Sequence, residues 1–167
     1  MKGNKILIIY FSMGGRTKKV AETIAAELKY SDVNIESLTY TKKLRDLIVE
    51  QEKIMNGDLS SFNYNEGIKD LGPYDFVFFG FPTHGGRPAT IFNGYLEHVK
   101  KFDEKNFIIF CTCRYVPGKT LNIMQTEIEK KGGKVVNKQV FKGIFRIKTS
   151  KVKKFVEELN QELIKAN

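Results

Sequence analysis

The stretch Ile6-Leu7-Ile8-Ile9-Tyr10-Phe11-Ser12-Met13-Gly14-Gly15-Arg16-Thr17 decides how this chain is read. An unbroken apolar run over 6–11 stops abruptly at Ser12. Two glycines follow, and the pattern then turns helical, with Val20, Ala21, Ile24, Ala25 and Leu28 on one side. A continuous apolar run of this length belongs to a parallel strand buried on both faces, and the spacing after it to an amphipathic helix. The hydroxyl- and glycine-rich turn between them directs backbone N–H groups outward at the positive end of the helix. An anion, most often a phosphate, is stabilised there.

Working outward, residues 33–38 alternate weakly and predict a second strand. Residues 41–55 predict one helix with Leu44, Leu47, Ile48 and Met55 on a face. Residues 57–67 are polar and turn-rich, a long connection of a kind that often carries function. Asp75 opens a second wholly apolar strand, 76–80, which runs into Phe81-Pro82-Thr83-His84-Gly85-Gly86-Arg87-Pro88. A helix follows, with Ile91 or Phe92, Tyr95, Leu96 and Val99 inward. Residues 107–111 predict a third hydrophobic strand, ending in Thr112-Cys113-Arg114-Tyr115-Val116-Pro117-Gly118. A helix over 120–131 is stopped by Gly132-Gly133. The last strand lies within 134–145. Ser150 is placed to N-cap a final helix whose stripe is Val152, Phe155, Val156, Leu159 and Leu163.

Five strands alternating with five helices predict one α/β domain over 1–167, doubly wound on a five-stranded parallel sheet with helices on both faces. Ligands of such sheets bind beyond the carboxyl ends of the strands, at the switch point. The loops 12–17, 82–88 and 112–118 all follow strands, so they are expected to converge on that edge.

The net charge is +9, with 28 Lys and Arg against 19 Asp and Glu. Nucleic-acid binding, attraction to acidic partners and a merely solvated surface compete as explanations. The lysines are spread along the chain, with a modest concentration over 142–154. No arginine-rich run or nucleic-acid motif occurs, which favours a solvated surface over a nucleic-acid site. Cys111 and Cys113 form a Cys-x-Cys pair. Two thiols do not make a structural zinc site, and only His84 and His98 are available to help, so no metal site is expected and both thiols read as reduced. The first apolar run is too short for a signal-peptide core, which needs about 7–15 residues, and nothing approaches the ~18 of a membrane span. The expectation is a cytoplasmic protein with no membrane span.

The turn after the first strand carries neither Gly-x-Gly-x-x-Gly nor Gly-x-x-x-x-Gly-Lys-Ser/Thr. It resembles the phosphate loop of the flavodoxin family, Ser/Thr-x-Thr-Gly-x-Thr. Ser12, Gly15 and Thr17 match; Gly14 stands where the family has its middle hydroxyl, and Arg16 offers a charge-assisted donor in exchange. Gly80-Phe81-Pro82-Thr83-His84-Gly85 is similar to the family's second loop, and the loop with Tyr115 and Gly118 lies where the family closes the other side of its ring. The resemblance implies strand order 2-1-3-4-5 and FMN as cofactor. It places Ser12, Met13, Gly14, Gly15, Arg16 and Thr17 at the phosphate. Pro82, Thr83, His84, Gly85, Gly86, Thr112, Cys113, Arg114, Tyr115 and Gly118 fall around the isoalloxazine. His84 falls where flavodoxins often have Trp, and is read either as a ring contact or as a surface loop residue. Arg87 is read either as facing the cofactor or as capping a carbonyl.

The family is ordinarily acidic around its flavin, whereas these loops hold Arg16, His84, Arg87 and Arg114, with Lys119 directly after the third, and no carboxylate. A positive charge ~8 Å from the ring is worth about 2 kcal/mol at an effective dielectric of ~20, roughly 90 mV for one electron, reduced by screening to tens of millivolts. The flavin potential is therefore expected to be less negative than in acidic flavodoxins. The implied function is an FMN electron carrier, with no catalytic side chain, serving a redox partner with an acidic docking surface; NAD(P)H or another anionic small molecule also suits a basic rim. The alternative is an FMN-dependent NAD(P)H or quinone oxidoreductase, with 57–67 helping to wall a substrate pocket.

Overall fold

A computed structural model describes residues 3–29 and 31–165. In chain order the elements are β1 (Asn4–Tyr10), α1 (Arg16–Glu27), β2 (Ser31–Ser37), β3 (Thr39–Tyr40), α2 (Leu44–Val49), α3 (Gln51–Met55), β4 (Phe62–Asn63) and β5 (Phe76–His84). They continue as β6 (Arg87–Pro88), α4 (Ile91–Leu96), β7 (Asn106–Cys113), α5 (Thr120–Lys130), β8 (Lys134–Lys142) and α6 (Thr149–Lys165). The main parallel sheet has the order β2-β1-β5-β7-β8, which is the 2-1-3-4-5 arrangement. Among the described residues no helix is long and apolar enough to cross a membrane.

The three central strands are continuous apolar runs because each is covered on both faces. Successive side chains of a strand alternate between faces. Ile6, Ile8, Phe78, Ile108 and Phe110 meet Val20, Ile24, Val152, Phe155 and Leu159 of α1 and α6. Leu7, Ile9, Val77, Phe79, Phe107 and Ile109 meet Phe92, Tyr95, Met124 and Ile128 of α4 and α5. Each of these side chains is essentially removed from water, and full burial of one such aliphatic or aromatic group contributes about 1.5–3 kcal/mol. The edge strand β8 carries exposed Lys134, Lys138 and Lys142, charges that discourage pairing with another chain.

Four expectations are corrected. The helix expected over 41–55 is two short helices broken at Glu50, whose backbone lies at φ −88°, ψ 0°. Glu50 is clamped there from outside the helix: Tyr40 Oη donates to Glu50 Oε2 at 2.7 Å and Lys42 pairs with the same carboxylate. Of the expected apolar face only Leu47 is buried, while Leu44, Ile48 and Met55 are exposed. Residues 57–67 are not a loop over the site. Phe62–Asn63 pairs with Thr39–Tyr40, and Gly57 O accepts a bond of 2.6 Å from His98 Nε2. The strands 76–80 and 107–111 are longer than expected and end at His84 and Cys113. Ser150 does not cap α6, which already begins at Thr149.

Candidate functional site

The carboxyl ends of β1, β5 and β7 enclose a cleft of about 550 Å³. It lies where the sheet order reverses, between β1 and β5. From the first loop it is lined by Ser12, Met13, Gly14, Arg16 and Thr17; from the second by Pro82, Thr83, His84, Gly85 and Gly86; from the third by Thr112, Cys113, Arg114 and Tyr115. Two of the sequence-derived positions do not line it. Gly15 is the N-cap of α1, and Gly118 packs against the backbone of Gly86. Arg87 also does not line the cleft, and no residue of 57–67 does. Leu44 and Val116 do line it and escaped the sequence. Leu44 has the spacing of a core residue on a helix, and Val116 has no feature that separates it from any loop valine.

The first loop has the properties of an anion cradle. Gly15 adopts φ +81°, a left-handed conformation that L side chains rarely accept. The chain thereby enters the twelve-residue α1 with no side chain capping it and no carboxylate in its first turn. The first N–H groups of a helix have no intrahelical partner, and the dipole there favours negative charge. Ser12 Oγ is buried in the same loop without a hydrogen-bond partner among the described residues. A buried hydroxyl left unpaired costs about 1–3 kcal/mol, which a ligand oxygen would relieve. A Cβ added at Gly14 would meet nothing within 4 Å, so the loop leaves space for a bulky group. Arg16 Nη1 donates to Gly143 O at 3.2 Å, which leaves most of its five donors available. Thr17 Oγ1 and Thr112 Oγ1 share a buried bond of 2.8 Å that joins the first loop to the third.

The second loop is a hairpin. His84 pairs with Arg87 across Gly85 and Gly86, both at positive φ, which is the backbone of a two-residue turn of the primed kind. His84 is held edge-on against Phe11, ring centroids 6.5 Å apart. Burial pushes its imidazole below the ordinary value of 6.5, so at neutral pH it adds no charge. The cations of the cleft are then Arg16 and Arg114, and no carboxylate lines it. Thr83 Oγ1 and Thr120 Oγ1, 2.9 Å apart, tie this hairpin to the start of α5.

Burial pushes the Cys111 thiol up to about 12 and raises Cys113 as well, against smaller opposing effects that include Lys142 at both thiols. Both are poor nucleophiles at neutral pH. The folded chain keeps the Cys111 proton after the unfolded chain has lost it. Its contribution to stability is therefore complete below the ordinary value of 9.0 and is lost as pH rises toward 12. Chemical denaturation is expected to show stability falling above about pH 9, with a slope of up to about 1.4 kcal/mol per pH unit from this group. Cys111→Ala should flatten that slope, whatever it does at neutral pH; an unchanged slope would contradict the assignment.

The family model described as Flavodoxin matches residues 5–159. The chain belongs to the flavodoxin family. Comparison with curated protein sequences returns no match. Among solved structures, this flavodoxin-family chain is similar to oxidised flavodoxin 1 from Bacillus cereus, with TM-score 0.65, 19% identity, and coverage of 96% of this chain and 97% of that one. It is similar to a flavoprotein in complex with FMN from Lactobacillus acidophilus NCFM, with TM-score 0.59, 22% identity, and coverage of 83% and 93%. A flavodoxin, WrbA-like protein from Agrobacterium tumefaciens gives TM-score 0.66 at 14% identity, covering 99% and 100%. At these identities the likeness to solved structures is one of fold.

Proposed function

We propose that this flavodoxin-family protein binds FMN in the cleft and carries electrons to a partner enzyme. One observation carries the reading: a buried Ser12 hydroxyl with no partner among the described residues, beside the uncapped N-terminus of α1 and at the switch point of the sheet. FMN, when bound, supplies the electron transfer itself. The chain supplies the hold. Ser12 Oγ and the N–H groups of residues 13–17 take the phosphate. Thr17 joins them with its own proton when Thr112 donates across their shared bond. Pro82, Thr83, His84, Gly85 and Gly86 form one wall for the ring, with His84 steadied by Phe11. Thr112, Cys113, Arg114 and Tyr115 form the other, held against the first wall by the close approach of Gly118 to Gly86.

Titration of FMN into the apoprotein is expected to quench flavin fluorescence stoichiometrically, with no bleaching when NADH or NADPH is added anaerobically. Rapid bleaching would favour the oxidoreductase reading. The specific support for that alternative is the open apolar rim beside the cleft, with Leu44 56%, Tyr115 67% and Val116 71% exposed. Absence of quenching would overturn the FMN reading altogether.

The cationic lining and the net charge of +9 fit a partner that presents carboxylates. Arg114→Glu is expected to lower the reduction potential of the loaded protein by tens of millivolts and to slow transfer to an acidic partner. Redox titration checks the first effect. Stopped-flow transfer at two salt concentrations checks the second, and a rate independent of salt in the wild type would remove the argument for steering.

A further inference from the structure

The loop between β8 and α6 carries a feature that the flavin reading does not use. From 142 to 154 the chain has six cations, Lys142, Arg146, Lys148, Lys151, Lys153 and Lys154, and no Asp or Glu. All six are exposed: Arg146 and Lys148 lie in the loop itself, Lys142 ends β8, and Lys151, Lys153 and Lys154 lie on α6, where Lys153 pairs with Glu27 at 2.7 Å. At the tip of this run stand Ile144, 49% exposed, and Phe145, 93% exposed. A phenylalanine left almost wholly in water has no stabilising role in the fold.

The tip is built rather than loose. Gly143 N–H donates to Cys113 O at 3.0 Å, and Gly143 O accepts from Arg16 at 3.2 Å. A Cβ at Gly143 would lie 2.1 Å from Arg146 O, so the turn closes tightly on itself. On the far side Ile147 is buried in the core beneath α6. The chain is thus pinned at 143 and at 147, and the residues between are held out. Cys113 and Lys142 are register partners in the sheet. The next residues, Arg114-Tyr115-Val116 and Gly143-Ile144-Phe145, therefore leave adjacent strands at the edge that bears the cleft.

We propose that this loop docks the protein on an anionic phospholipid bilayer, with Phe145 and Ile144 entering the headgroup–acyl boundary and with Arg146 and Lys148, flanked by Lys142, Lys151 and Lys154, meeting lipid phosphates. An apolar tip flanked by cations suits that boundary, where buried apolar area and attraction to anionic lipids add. A protein partner is less well matched, because interface centres are depleted of charge and lysine is disfavoured in them. A solvated surface accounts for the lysines and leaves Phe145 unexplained. Docking would bring the mouth of the cleft to the membrane surface, within reach of a lipid-soluble electron acceptor or donor. The binding itself does not depend on the flavin reading.

The test is co-sedimentation of the full chain, with and without FMN, with vesicles of phosphatidylcholine alone and with vesicles of equal parts phosphatidylcholine and phosphatidylglycerol. Binding is expected to the anionic vesicles only and to weaken with salt. Phe145→Ser should reduce it by about tenfold, as expected for an aromatic side chain withdrawn from the boundary. Arg146→Glu should reduce it by at least as much. Lys134→Glu makes the same change of charge at the opposite end of β8 and should have little effect. Circular dichroism and thermal melts check that all three variants fold. No binding to anionic vesicles at low salt would overturn the proposal. So would equal losses for Arg146→Glu and Lys134→Glu with none for Phe145→Ser, which would mean attraction of a basic protein without a docking loop. Loss of an acidic protein partner with Phe145→Ser, and no vesicle binding, would assign the tip to a protein instead.

Discussion

Ser12→Ala is expected to weaken FMN binding about tenfold to a hundredfold while leaving the apoprotein as stable as before or slightly more so. The two effects have one cause. Ser12 Oγ is buried and has no partner among the described residues, so in the apoprotein the hydroxyl is desolvated with no bond in return. Alanine removes that cost. On the reading proposed above, the same hydroxyl would donate to a charged phosphate oxygen of FMN, and a hydrogen bond to an ionised group is worth about 1.5–3 kcal/mol. Fluorescence titration measures the affinity and a thermal melt of the apoprotein measures the stability. A serine that merely filled space would leave FMN affinity unchanged. One that held a structural bond would lower the melting temperature. Either result would remove Ser12 from the cofactor site.

Gly118→Ala is expected to destabilise the apoprotein by about 2–4 kcal/mol and to weaken FMN binding as well. Gly118 has φ +55°, and a Cβ there would lie 2.5 Å from Gly86 Cα and 2.7 Å from Gly86 O. The obstruction is backbone, so no side chain can rotate out of the way. Lys119 N–H donates to Gly86 O at 2.7 Å across the same contact, and the methyl group would pry that bond apart. The hairpin of β5 and β6 and the loop before α5 form the two walls proposed for the ring, so separating them opens the cleft. Gly14→Ala is the control. Its Cβ meets nothing within 4 Å and its φ is not positive, so the melting temperature should hold while any loss appears in FMN affinity alone. Equal melting temperatures for the two variants would contradict the packing described.

The parts of the fold and site that were legible in the sequence share a physical origin. β1, β5 and β7 are covered on both faces, so their residues had to be apolar without interruption, and the runs at 6–11, 76–80 and 107–111 announce it. The hydroxyls and glycines that follow them are local chemistry: they stop a strand and begin a helix within a few residues. The edge strand β2 is less plain because its residues are only partly buried. Its start at Ser31 precedes the alternation that marks it.

What was not legible depends on contacts that a local periodicity does not carry. The break at Glu50 is made by Tyr40 and Lys42, and helical periodicity over 41–55 carries no trace of them. The extension of β5 to His84 depends on partners supplied by β6 and β7. Leu44 reads as core by its spacing, yet it is the first residue of α2 and lines the cleft, exposed.

By itself, then, the sequence determined the central strands, the order of alternation and the three loops that carry polar chemistry, since burial on both faces and helix initiation are written in neighbouring residues. Only the tertiary structure decided that Ser12 finds no partner among the described residues, that Gly118 rests on Gly86 and that Phe145 stands in water. Each of these is set by what distant chain segments bring, or fail to bring, into contact. Pairwise proximity across a hundred residues is not encoded in any local pattern.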